Sequence, residues 1–398
     1  MANRITHYPV DNGDHSLIAV EENSYTTHIM VDCNIRESCK GDADKSKFDV
    51  KADLIKHLNK KVVNSFKEVS YTDIFILSHG DDDHLHGFEK NFYQGDPKNF
   101  KQENKDQDEI FVDVLWFSPM VMGECTNEDE ECFNKEAKRR IQLHRNKSSD
   151  KDVAGNRIVI IGYDENEDLS DLDLVRKVPG DIVTRFNDRD LSTFSIFIHA
   201  PYKIQLTSAD PNRNHTSIVF QARFKQTSSA NSFLALAMFG GDADHYAWKI
   251  ILQKTKKYKN NTKERALDWD LFLASHHCSW SFFNDTPQEN NPIPVDTSLE
   301  ILDYARNGAK VIASSKVIKN NTDNPPHFQA KQEYIKKLAS SSDFLNTAVE
   351  PKEAAPEPII LEVTLNGFSR VRSASSTEKL AAAISIASSS IIKKPWSA

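Results

Sequence analysis

The chain has 398 residues, 39% of them hydrophobic and 27% charged, with a formal net charge of -8 at pH 7. That length admits one large α/β domain with additions, and the composition is that of a folded globular chain rather than a membrane or low-complexity one. The mildly acidic balance excludes a protein that coats nucleic acid by net charge alone. A local basic face stays open between positions 249 and 265, where Lys254, Lys256, Lys257, Lys259 and Lys263 surround Tyr258, and a solvated helix explains the same run equally well. Residues 1–10 lack the basic start and apolar stretch of a secretory signal, and no segment approaches a membrane span. A cytoplasmic chain without a membrane partner is therefore expected. The five cysteines, Cys33, Cys39, Cys125, Cys132 and Cys278, are odd in number and irregularly spaced, which predicts reduced thiols and no cysteine-based structural zinc.

In chain order, Asp11, Asn12, Gly13 and Asp14 supply turn chemistry ahead of two apolar runs, 17–20 and 29–31, which predict paired strands. Leu54, Ile55, Leu58, Val62, Val63 and Phe66 recur at helical spacing and predict an amphipathic helix over 50–69. It leads into 73–77, a short continuous apolar run that reads as a buried strand. From about 90 to 190 the pattern weakens into charge-rich stretches, 101–109 and 127–152, broken by a strand-like run at 157–161. This reads as an elaborated insertion. Strands resume at 194–198, 217–220, 233–239, 271–274 and 310–313, and a helix is expected over 328–338. Residues 1–338 thus form the main domain. The extension 339–398 is rich in serine, alanine and proline, with one strand-like piece at 359–363 and a tail over 373–398.

Small polar groups stand at the ends of these predicted strands or in the adjoining loops: His79, Asp81, Asp83 and His84; Asn214 and His215; Asp242 and Asp244; His276 and His277; and His327. A histidine beside aspartates on a loop is by itself ordinary surface chemistry. Crowding Asp81, Asp82 and Asp83 is nevertheless repulsive unless the run is solvated or binds a cation. Imidazole nitrogens and carboxylate oxygens suit zinc, manganese or iron, and one loop offering four of them can serve two adjacent ions. Two such ions hold an attacking hydroxide and stabilise the oxygens of an in-line displacement, so the expected chemistry is hydrolysis of a phosphate ester or an activated carbonyl. Asp82 is expected to face outward by alternation, Asp244 to cap the following helix, and His199 to be structural.

The run His79-x-Asp81-x-Asp83-His84 resembles the metal-binding signature of the metallo-β-lactamase superfamily, in the variant where aspartate replaces the second histidine. More narrowly, the chain is similar to the hydrolase domain of the competence protein ComEC. The matching pieces are Val10-Asp11-Asn12-Gly13-Asp14, Val31-Asp32, His199-Ala200-Pro201, Asn214 to Val219, Gly241-Asp242, Ser275-His276-His277-Cys278-Ser279 and Pro326-His327. They span roughly 9–338 apart from the insertion. The resemblance implies an αββα sandwich holding two divalent ions, Zn2+ or Mn2+. His79 and Asp81 would hold one ion, Asp83 and His84 the other, with Asp242 between them. His276 would complete the second site, and His215 or Asn214 the first. Asp83, His277 and His327 are the catalytic candidates, His277 beside the metals or the substrate and His327 near the leaving group. Cys278 stands where such chains usually carry glycine, Asn12 where a glycine-glutamine pair is usual, and the insertion has no counterpart. Without membrane spans, only the hydrolase chemistry carries over. The implied activity is a binuclear phosphodiesterase or nuclease acting on nucleic acid or a nucleotide. An amide, lactone or thioester hydrolase is the alternative, which an apolar pocket would distinguish. A third reading is a non-catalytic interaction protein with a structural metal, its insertion or extension meeting a protein partner.

Overall fold

A computed structural model describes residues 3–36, 48–163, 169–206, 213–259 and 265–371. The chain is mixed α/β, built on two mixed sheets of ten and seven strands. In the first sheet the strands run Gly367–Val371, Ile359–Thr364, Arg4–His7, Ser16–Glu22, Tyr25–Val31, Phe66–Ile76, Phe111–Phe117, Arg157–Ile161 and Arg176–Lys177, with Asn59–Val63 paired alongside Phe66–Ile76. The second orders Phe344–Asn346, Ala305–Ala313, Trp269–Leu273, Ala235–Phe239, Val219–Phe224, Phe194–Ala200 and Ile182–Val183. Alternation along the strands sends Ile18, Ile29, Ile74 and Ile76 of the first sheet and Ile196, Phe220, Leu271 and Ile312 of the second into one shared core. Leu17, Met30, Phe75 and Leu115 point the other way, against helices α1 (Val50–His57) and α2 (Glu128–Arg145). On the far side Met238, Phe272 and Val311 pack under α3 (His245–Lys259), α4 (Asp296–Leu302) and α5 (Phe328–Lys336).

The helix expected over 50–69 is shorter than its apolar spacing suggests. Asp49 caps α1 by accepting from the Ala52 amide at 2.9 Å, and the helix ends at His57. The chain then forms the strand Asn59–Val63, turns at Asn64 and Ser65 (φ 42° and 71°), and returns as Phe66–Ile76, with Val63 opposite Phe66 and Asn59 opposite Tyr71. Two β-branched valines and a tight turn of positive φ favour a hairpin, and Lys61 sits over the Tyr71 ring at 3.5 Å to reinforce it. The longer apolar stripe in sequence is thus divided among three elements, a helix and the two strands of a hairpin.

Residues 110–177, read from sequence as part of an elaboration, supply three strands to the first sheet itself. Phe111–Phe117 is buried along its whole length and pairs in parallel with Phe66–Ile76, Tyr71 opposite Phe111 and Ile76 opposite Trp116. Burial on both faces removes the alternation that makes a strand legible in sequence. Between the strands, α2 begins at Asn127, whose side chain accepts from the Glu130 amide at 2.8 Å. It carries Glu128, Asp129, Glu130 and Glu131 in its first turn and His144 and Arg145 in its last, the order its dipole favours. The extension likewise completes both sheets, through Phe344–Asn346 in the second and the two strands Ile359–Thr364 and Gly367–Val371 in the first. The expected tail over 373–398 and Cys39 lie outside the described residues, whereas Cys125, Cys132 and Cys278 are free thiols. Among the described residues no helix is long and apolar enough to cross a membrane.

Two stability predictions follow. Ser65 occupies the left-handed region at φ 71°, so Ser65→Gly is expected to stabilise the protein by about 1 kcal/mol in chemical denaturation. Burial depresses His7 and His28 to about 4 and His199 to about 3. These folded values lie below the unfolded one near 6.5, so the unfolded chain binds more protons between them, and stability falls as pH drops below about 6.5. Each group is expected to remove about 2 kcal/mol between pH 7.5 and 5. The slope of denaturation free energy against pH should flatten in His199→Phe.

Candidate metal centre

Parallel pairing brings the polar groups together. Val31 lies opposite Ile76, so Asp32 and Ser78 leave adjacent strand ends side by side. In the second sheet Met238 lies opposite Phe272 and Leu273 opposite Ile312, which carries Asp242, His277 and Ser314 to that sheet's corresponding edge. The two edges are joined by the backbone bond from the Ile218 amide to Ser78 O (2.9 Å) and by the Ser314 hydroxyl to Gly13 O (2.6 Å), while the Asp14 amide bond to Asp83 O (3.1 Å) ties together two loops of the first sheet. Gly241, at φ 50°, lets this approach happen, since a Cβ there would come within 3.1 Å of the Ser78 Cβ.

At the junction lies Asp242, 2% exposed, and its two oxygens face different partners. Oδ2 is 3.5 Å from His79 Nε2 and 3.5 Å from His276 Nε2, and His79 Nε2 is in turn 3.5 Å from Asp81 Oδ2. Oδ1 is 2.9 Å from His84 Nε2 and 3.5 Å from His277 Nε2, and His277 Nε2 is 3.1 Å from Asp83 Oδ2. Sorted by the Asp242 oxygen that their rings face, the donors fall into two sets, His79 (with Asp81) and His276 on Oδ2 and His84 and His277 (with Asp83) on Oδ1, while His79, His84 and Asp242 also offer ligand atoms within 4.8 Å of one another.

All four imidazoles are held by Nδ1. His79 meets the Ser78 hydroxyl at 3.0 Å, His84 meets Asp32 Oδ2 at 2.9 Å, His276 the Ser281 hydroxyl at 3.1 Å, and His277 the Ser314 carbonyl at 3.1 Å. This leaves Nε2 of each ring directed at the centre, the arrangement by which metal-binding histidines are oriented. Asp32 is the hub, accepting also from the Ser78 amide and hydroxyl at 2.7 Å each.

The donor set fits divalent ions. Ligand bonds of about 2.0–2.1 Å in a tetrahedral array set donor atoms about 3.3 Å apart, close to the separations around Asp242. His79 Nε2 and Asp242 Oδ1 are buried without a properly directed hydrogen bond, a costly state for groups with no other partner. His84 and His277 bring their Nε2 atoms to 3.2 Å, which two neutral acceptors do not tolerate without a proton or a cation between them. Asp14, Asp32, Asp81, Asp83 and Asp242 gather around these rings, an excess of carboxylates that suits cations. Electrostatics in the bare cluster tell the same story. Burial would raise Asp242, yet His84, His276, His277 and His79 hold it well below the usual carboxylate range. Burial would lower His277, yet Asp242, Asp14 and Asp83 carry it up to about 10. Burial also opposes charge on His84, which Asp242 and Asp32 drive well above its ordinary value.

The expected donors redistribute in three places. His277, read from sequence as adjacent to the metals, sits with its Nε2 among Asp83, His84 and Asp242. His276, expected in the second set, lies on the Asp242 oxygen of the first. His215, expected to complete the first set, pairs its Nε2 with Asp244 Oδ2 at 2.7 Å and lies 4.8 Å from the Tyr246 ring, while the Asn214 carbonyl accepts from the Ser217 amide. His327, expected near a leaving group, caps α5 by accepting from the Gln329 amide at 3.2 Å. Asp244 accepts from the Ala247 amide at 3.0 Å at the start of α3, as its position predicts. Asp82 faces outward to Arg36 and His86. Cys278, in a glycine position of the resembled pattern, takes φ 69° and follows His276 and His277 at φ 49° and 53°. Three consecutive left-handed residues store strain that the surrounding site must hold in place.

No family model matches this sequence, and no curated protein matches it at a significant level. Asp32→Asn keeps a residue that tolerates φ 57° while removing the carboxylate behind His84. Metal affinity measured by chelator competition is expected to fall about 10- to 100-fold, with the far-ultraviolet circular dichroism spectrum unchanged.

Proposed function

We propose that this chain is a metal-dependent hydrolase of the metallo-β-lactamase type, with a binuclear centre acting on phosphodiesters of nucleic acid or nucleotides. The observation that carries this reading is the division of the Asp242 carboxylate between two donor sets whose imidazoles are all tied at Nδ1. The layering of α1 and α2, two sheets, and α3 to α5 agrees with the αββα sandwich that the sequence resemblance implies. Two bound ions, zinc or manganese, would supply Lewis acidity and activation of water at neutral pH.

The chain's own residues do the positioning. His79, Asp81 and His276 would hold one ion and Asp83, His84 and His277 the other, with Asp242 fixing the separation between them. Asp32 and the serine groups at Nδ1 keep the rings from turning, so no reorganisation accompanies the reaction. Arg213, a cation beside Asp81, supports an anionic substrate over a lactone or thioester with an apolar acyl chain. Helix α3, which follows Asp242 in the chain, has Lys249, Lys254, Lys256 and Lys257 exposed, Lys256 being paired with Glu300. The side chains of Tyr258 and Lys259 and residues 260–264 of the expected basic stretch lie outside the described residues.

The purified protein is expected to carry about two divalent ions and to hydrolyse bis(p-nitrophenyl) phosphate with Zn2+ or Mn2+. Asp83→Ala should lower the rate at least about 100-fold and reduce metal content. Metal without turnover of any phosphodiester would move the activity to another bond, and a protein that binds no divalent ion would falsify the reading altogether.

A further inference from the structure

Asp81 is the most exposed donor of the first set, its side chain 33% accessible, and it lies in the loop that follows the strand Phe66–Ile76. Its Oδ2 faces His79, and its Oδ1 lies 3.3 Å from Arg213 Nε. Arg213 is itself fixed from behind. Its Nη1 donates to the Thr126 hydroxyl at 2.7 Å, and its Nη2 pairs with Glu130, a carboxylate 2% exposed on the first turn of α2. Glu130 Oε2 also accepts from the Thr126 amide at 2.7 Å. The same helix end holds the loop backbone, because Asn127 Nδ2 donates to Gly80 O at 3.2 Å and Asp129 accepts from the Gly87 and Glu89 amides at 2.8 Å each. A Cβ on Gly80 would collide with Glu130 and Arg213, so the loop lies directly on this brace.

We propose that Arg213, locked by Glu130 and Thr126, is a positioning residue that sets the occupancy of the first ion site by fixing the Asp81 carboxylate. The proposal rests on the two-ion reading above. The two sets are supported differently. In the second, His84 and His277 are wholly buried and anchored by Asp32 and the Ser314 carbonyl, all within the strand ends. In the first, Asp81 has no such strand-end anchor, and its free oxygen is held by a guanidinium whose own support comes from α2. A three-way guanidinium bridge gives planar, directional restraint that an ammonium group cannot reproduce. Losing it frees the Asp81 rotamer and weakens one ion, leaving the other in place.

The test uses full-length protein, stripped with chelator and titrated with Zn2+ against a chromophoric competitor. Wild type is expected to bind two ions, and Arg213→Ala to keep one with unchanged affinity while the other weakens about 10- to 100-fold. Arg213→Lys should recover only part of that loss. The double variant Arg213→Ala/Glu130→Gln, which removes the stranded buried carboxylate, should bind like Arg213→Ala and so separate lost positioning from lost folding. Two ions of unchanged affinity in Arg213→Ala, or equal weakening of both, overturns the proposal. A wild type that binds fewer than two ions sinks the two-ion reading first and this inference with it.

Discussion

Asp242 is a carboxylate buried where four imidazole nitrogens converge, and the geometry around it follows from what such a group needs. A buried carboxylate without compensation costs several kcal/mol, and four neutral rings aimed at it supply the compensation only if protons or cations lie between them. Divalent cations would satisfy these donors at once. The strand ends, the tight approach at Gly241 and the strained turn through His276, His277 and Cys278 are each arranged to deliver a donor to this point. Strain of this kind persists only where the surroundings over-determine it, and here the shared core of two sheets does so.

The centre is built in two tiers. The inner tier carries nitrogen and oxygen toward the middle. The outer one, made of Asp32, Ser78, Ser281 and Ser314, decides which nitrogen of each ring faces inward. Neutral hydroxyl partners serve His79 and His276, whereas a carboxylate stands behind each ring of the other set, Asp32 at His84 Nδ1 and Asp14 at 3.5 Å from His277 Nδ1. The asymmetry distinguishes the two sets before any ion is considered.

Helix α2 and the strands beside it broaden the first sheet and place an acidic helix end against the loop that carries His79 to His84. The charge run that makes residues 127–152 look solvent-exposed in sequence has a divided fate. Glu130 and Glu136 are buried in ion pairs, while Asp129 is spent on backbone amides. Charged side chains placed this way restrain backbone more than they contribute to net stability, which is consistent with their contact to a loop that must keep its shape.

That these histidines and aspartates cluster was legible in sequence because most of them stand at the ends of apolar runs. His79, Asp81, Asp83 and His84 sit within one loop after an unmistakably apolar strand, and Asp242 and the histidine pair close two further apolar runs. Asp32 ended such a run too, and its carboxylate was a usable signal. The mixed α/β class followed from the alternation of those runs with amphipathic stretches. Sequence alone did not decide which histidine joins which set, because His276 and His277 are adjacent and only the left-handed turn between them sends their rings to opposite oxygens of Asp242. Nor did it show that His215 pairs with Asp244 and that His327 caps α5, since both depend on backbone orientation rather than residue type. The hairpin within 50–69 and the buried strand Phe111–Phe117 escaped for a related reason: periodicity records which side chains are apolar, whereas the partner that buries them is fixed only when distant strands pair. Arg213 and Glu130, 83 residues apart, met only through that tertiary pairing.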